Sequence, residues 1–168
     1  MLRDLGFEID EFVSFLARKK IRRLIDVRKN PVSRKKGFSK NKLAEALSGK
    51  KIEYIHVPGL GVPKEWRKRA EKHEITRQEM FLDYRKKVLP AAREELALVR
   101  KLLEEKNSVL LCYEADAADC HRRFAVEALR KRMKGDLEVV DLKKPARIPS
   151  LGLRKRSGSG LVRSGTKA

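Results

Sequence analysis

Arg22-Arg23-Leu24-Ile25-Asp26-Val27-Arg28 decides the fold of this chain, because a short β-branched apolar run is closed at both ends by charge. Without polar alternation it has the pattern of a strand covered on both faces, as in a parallel sheet. The run predicts a strand over 23–27. Ile52 to Val57 (IEYIHV) repeats the pattern and is stopped by Pro58, and Ser108 to Tyr113 (SVLLCY) repeats it again. LEVVDL at 137–142 is expected as the last strand.

Helical patterns separate these runs. Ile9, Phe12, Val13 and Leu16 form one stripe of an amphipathic helix over about 8–19. Ser39 is expected to cap a helix carrying Leu43, Ala46 and Leu47, with Gly49 ending it. Lys64 to Glu74 is charged and weakly helical. Thr76 is placed to cap a helix running to Leu89, and Pro90 suits the first position of another through about Lys106. A last helix after Asp119 carries Phe124, Ala128 and Leu129. Strands alternating with helices predict an α/β fold, a mainly parallel sheet of about four strands with helices on both faces. Met1 to Leu5 is too short and charged for a convincing edge strand at the start.

The 168 residues suit one domain, expected over 1–142, followed by a basic tail. Lys plus Arg number 42 against 23 for Asp plus Glu, giving +19; residues 143–168 carry +8 of this without an acid, and 1–142 carry +11. The tail is rich in Pro, Gly and Ser, so it is expected to be disordered, either as a nucleic-acid-binding arm or as a dispensable extension. A second basic concentration includes Arg18, Lys19, Arg22, Arg34, Lys35 and Lys36, candidates for nucleic-acid contact. One glutamine and three asparagines beside so many ionic residues also fit a heat-adapted, thermophilic composition. No run of about 18 apolar residues is present, so no membrane span is expected. No apolar leader opens the chain, and two cysteines suit reduced thiols in the cytoplasm. The oligomeric state stays open.

In a parallel sheet, residues just past each strand meet along the carboxyl edge, where ligands bind. Asp26, Arg28 and Ser33 follow the first strand, and His56 ends the second. Cys112, Glu114, Cys120, His121 and Arg122 follow the third. Four readings of this gathering follow. Arg28 and Arg122 can clamp a phosphate-bearing ligand beside the start of the last helix, capped by Asp116 or Asp119. The alternative has Arg28 or Arg122 paired with Asp26, Glu114 or Asp116 to organise the loops, and the two roles are compatible. Cys120, next to His121 and Arg122 at a helix start, suits a reactive thiolate, and Cys112 at a strand end suits a nucleophile or simple packing. Glu114 and His56 suit a base and acid pair. For a metal, Cys112, Cys120, His121 and His56 supply donors, but the cysteine spacing is not that of a zinc knuckle or ribbon, so no metal and no cofactor is expected. Trp66 among lysines and arginines can stack on a base or anchor a loop helix, and His73 reads as a surface residue.

Asp26-Val27-Arg28 with Pro31, Ser33 and Phe38-Ser39 resembles the D-V-R-x-x-P-x-S…F-S signature of the domain of unknown function 488 family. Ile52, Tyr54, His56, Pro58, Leu60 and Gly61 resemble its I-x-Y-x-H-x-P-x-L-G segment, and Cys112, Glu114, Ala115, Asp116 and Cys120-His121-Arg122 its C-x-E-A-D…C-H-R segment. The likeness covers about residues 6–142 and implies a small prokaryotic α/β protein. Members usually begin with a strand leading into a T-I-G turn, of which only Gly6-Phe7-Glu8 is similar here. Leu24 to Arg28 is also similar to the strand motif of rhodanese-like sulfur-transfer domains, which implies thiol-dependent chemistry.

Overall fold

The computed structural model of the chain describes residues 7–112, 120–132 and 138–142. Met1 to Leu5, Glu114, Asp116, Asp119 and the tail over 143–168 lie outside the described residues. Among the described residues three short parallel strands form the sheet in the order β2–β1–β3: β1 (Arg23–Asp26), β2 (Glu53–His56) and β3 (Ser108–Leu111). Asp26 is in register with His56 on one side and Leu111 on the other, so all three strands end at one level.

Side chains alternate across the pleat and face two layers, one on each side of the sheet, while a third cluster gathers Val62, Met80, Phe81, Tyr84 and Phe124. Leu24, Tyr54, Val109 and Leu111 face a layer filled by Phe12, Leu16, Leu43 and Leu47, contributed by α1 (Ile9–Arg18) and α2 (Lys40–Ser48). Ile25, Ile55 and Cys112 face the opposite layer with Leu96, Val99 and Leu129, contributed by α6 (Arg93–Glu105) and α7 (Arg122–Arg130). This period-2 division places helices on both faces, as the apolar runs predicted. Residues 138–142 carry no strand pairing. Val139 and Val140 are exposed and only Leu142 packs, half-buried, against the α1–α2 layer, and among the described residues the sheet has three strands rather than about four.

The middle of the chain departs from its sequence pattern at a proline. Thr76 caps α4 (Arg77–Asp83) through a reciprocal pair with Glu79, as its position predicts. The helix then widens into a π turn over Tyr84–Val88, where Leu89 N–H donates to the Tyr84 carbonyl. Pro90 lies inside the following single turn, α5 (Leu89–Ala91), and α6 starts only at Arg93, after Ala92 leaves helical geometry. Pro90 sits in the first turn of α5, where its missing N–H costs least, and the interruption before α6 falls two residues later at Ala92.

Before this segment lie a 3₁₀ turn at Pro58–Leu60 and α3 (Lys64–Glu71). Gly61, just past the turn, runs against the Lys29 backbone, where any Cβ would collide. Trp66 is half-buried against Val62, Met80 and Tyr84, the anchoring role open to it, with Lys87 Nζ 5.6 Å from its ring centre. His73 is exposed at the end of α3.

Candidate functional site: two buried clusters past the strand ends

Asp26, the last residue of β1, is completely buried, and Arg28 is 3% exposed. Two backbone residues past the strand bring the guanidinium back over the carboxylate. Arg28 Nη2 donates to Asp26 Oδ2 at 2.6 Å and Nε to Oδ1 at 2.8 Å, while the Arg28 N–H reaches Oδ1 at 3.1 Å. Tyr54 Oη adds a hydrogen bond to Oδ2 at 2.6 Å, and Arg28 Nη1 donates to the Phe38 carbonyl at 3.1 Å. Burial, with the hydrogen bond and charge of Asp26 behind it, pushes the Tyr54 hydroxyl above its ordinary value. Arg28 thus takes the ion-pair alternative, and its fork is directed at Asp26.

His56 and Ser33 serve the loop after β1. His56 Nε2–H donates to the Arg28 carbonyl at 2.9 Å. Ser33 Oγ accepts from Lys35 N–H, and the Ser33 N–H donates to Ser39 Oγ. Ser39 occupies the N-cap position of α2, but its hydroxyl ties this loop instead of capping a helix amide.

The second cluster draws on β3 and α7. Cys112 directly follows β3, while Cys120 and His121 lead into α7, with His121 at its N-cap. All three are buried. Cys112 Sγ lies 3.3 Å from His121 Nδ1, and Cys120 Sγ lies 4.0 Å from the same nitrogen. Arg122 approaches Cys120 Sγ twice, with Nε at 3.3 Å and the backbone N–H at 3.4 Å. Burial alone would push the Cys120 thiol up. Hydrogen bonds from Cys112 and His121, with the positive charges of His121 and Arg122, outweigh burial and hold it below its ordinary value.

Tyr84 is the residue that sequence reasoning missed. Its ring stands edge-on to His121 at 5.2 Å between centres, and its hydroxyl donates to the Leu60 carbonyl at 2.8 Å. The π turn begins at this fully buried tyrosine. Burial, and then the nearby Cys112 and Cys120 sulfurs, push its hydroxyl above the ordinary range. In the sequence it shows only as one more member of an apolar helical stripe.

The basic candidates divide into two groups. Arg18, Lys19 and Arg22 are exposed near the amino ends of the strands, whereas Arg34, Lys35 and Lys36 lie in the loop past the carboxyl end of β1. Lys35 Nζ lies 5.5 Å from the Phe38 ring centre and 3.8 Å from Glu8. No helix among the described residues is long and apolar enough to cross a membrane. Three comparisons with known proteins bear on these clusters. A family model described as Domain of unknown function DUF488 matches residues 8–129, which include both clusters. No curated protein and no solved structure matches the chain.

Proposed function

The chain belongs to the domain of unknown function DUF488 family, and from that premise we propose that it is a thiol-dependent catalyst acting on an anionic substrate at the carboxyl edge of its sheet. The observation that carries this reading is the pair of N–H donors from Arg122 on Cys120 Sγ, at 3.3 and 3.4 Å. Donors and positive charge at a helix start favour thiolate over thiol, and the thiolate is the nucleophile.

Cys120 is the nucleophile. Its sulfur forms a bond to the phosphorus or sulfur of the substrate as the bond to the leaving group breaks. Arg122, half-exposed, binds the anionic oxygens, and the anion-binding role falls to it because Arg28 is committed to Asp26. His121, in contact with Cys112, relays the proton between the sulfurs. Both sulfurs are buried, so a reagent or substrate reaches them only when the packing around them opens.

Alkylation of the full chain by iodoacetamide tests the reading, with the labelled position identified by peptide mass. Rapid labelling of Cys120 at neutral pH, changing little down to mildly acid pH, is expected. Slow labelling of both cysteines overturns it.

A second reading, contact with nucleic acid, is favoured by +19 of net charge and by exposed Arg18, Lys19, Arg22, Arg34 and Lys36. Affinity for DNA or RNA falling steeply with added salt is then expected. Absence of retardation at low salt removes it.

A further inference from the structure

We infer that Cys112, Cys120 and His121 form a three-donor site for a soft divalent metal ion of the zinc class. Their ligand atoms all lie within 4.8 Å of one another, and all three residues are buried. A tetrahedral zinc ion sits about 2.3 Å from sulfur and about 2.0–2.1 Å from imidazole nitrogen, which sets sulfur–nitrogen edges of about 3.6 Å. The observed edges from His121 Nδ1, 3.3 Å to Cys112 and 4.0 Å to Cys120, bracket that length. Cys112 Sγ also lies 3.7 Å from His121 Nε2, so the imidazole must turn about its side-chain bonds to aim a nitrogen lone pair at an ion held between the sulfurs.

The donor chemistry selects the ion. Two thiolates and one imidazole favour zinc-like ions over magnesium or calcium, which take oxygen ligands. Two sulfur anions also neutralise the ion's charge, which suits a site withdrawn from water. The surrounding contacts have the form of an outer shell. Arg122 Nε and its backbone N–H point at Cys120 Sγ, and the Tyr84 ring stands edge-on to His121. Such contacts fix ligand orientation at metal centres.

The inference goes beyond the thiol reading and does not rest on it. The two concern different states of one centre. With the ion bound, the Cys120 sulfur is coordinated and shielded from alkylation; without it, the same sulfur is the proposed nucleophile.

The test uses the full chain, stripped with a chelator and kept reduced, then titrated with cobalt(II) and zinc(II). We expect one cobalt per chain with thiolate-to-cobalt charge-transfer absorption, displaced by zinc, together with zinc-dependent protection of Cys120 from iodoacetamide. Cys112→Ser and His121→Gln should weaken the ion by on the order of 100-fold or more, since changes merely to outer-shell partners cost 10–100-fold. Circular dichroism identifies variants that remain folded. If neither does, cobalt spectra of the unaltered chain decide, because the charge-transfer band arises only from sulfur ligation.

Uptake without that band, or equal affinity in folded Cys112→Ser, marks adventitious binding elsewhere and overturns the inference. Rapid alkylation of a chain that takes up no metal overturns it too, and leaves the thiol reading standing. Stoichiometric uptake with slow alkylation of the stripped chain supports it and removes the thiol reading.

Discussion

Two polar clusters lie past the strand ends: Asp26 is in register with Leu111, the residue before Cys112. The first cluster closes on itself. Asp26 accepts from Arg28 and Tyr54, opposite charges are matched, and Arg28 Nη1 donates to a backbone carbonyl. The second gathers two sulfurs and an imidazole, atoms whose lone pairs suit a metal or an electrophile better than they suit each other. Burial therefore says little about purpose by itself. A buried ion pair held by several mutual hydrogen bonds organises a loop, whereas a buried group of nucleophilic donors is a candidate for chemistry.

Breaking the closed cluster should cost the most stability. Asp26→Ala leaves the Arg28 charge and the Tyr54 hydroxyl without their carboxylate, and should lower unfolding free energy by about 3–5 kcal/mol in urea titrations. A loss below about 1 kcal/mol would show that the loop does not depend on this pair. Tyr84→Phe leaves the Leu60 carbonyl without its buried donor, an expected loss of about 1–3 kcal/mol by the same measurement. Cys112→Ala, in the second cluster, should cost only about 1 kcal/mol while changing alkylation or metal uptake. A cost equal to that of Asp26→Ala would erase the contrast between the clusters.

The opposite end of the sheet supplies the smallest effect and a control. There Arg23, 3% exposed, donates to Glu53, Glu105 and the Leu102 carbonyl. Glu53 is held below its ordinary value by a hydrogen bond from Lys106 and another from Arg23, which outweigh its partial burial. A carboxylate depressed in the folded state contributes stability above its unfolded value, about 4.3, and loses that contribution as pH falls through the folded value. Glu53→Gln should therefore cost less than about 1 kcal/mol at neutral pH, because the carboxylate is partly exposed. That cost should shrink toward pH 3 in paired denaturation curves. An equal cost at both pH values would show that the side chain acts by packing rather than by charge.

The α/β class was legible because apolar runs of four to six residues, separated by 3.6-period stripes, leave few other arrangements. Leu24 and Ile25 face different layers for no reason beyond the alternation of a strand. The run at 137–142 has similar composition but makes no strand over its described residues, 138–142, since hydrophobicity does not reveal whether a sheet edge receives it. Pro90 carries the same ambiguity: its ring suits the first turn of a helix and also weakens one in progress, and the burial of Tyr84 that anchors this segment is a tertiary matter.

The gathering of Asp26, Arg28, His56, Cys112, Cys120 and His121 near the strand ends followed from chain order alone, because parallel strands deliver their carboxyl ends to one level. Which of them pair did not follow. Arg28 turns back to Asp26, Cys112 and Cys120 meet at His121 despite their distance in sequence, and Tyr84 arrives from a distant helix to flank His121. Periodicity is local and can be read along the chain. Ångström-scale partnership depends on how whole elements pack, and a one-dimensional pattern does not contain those distances.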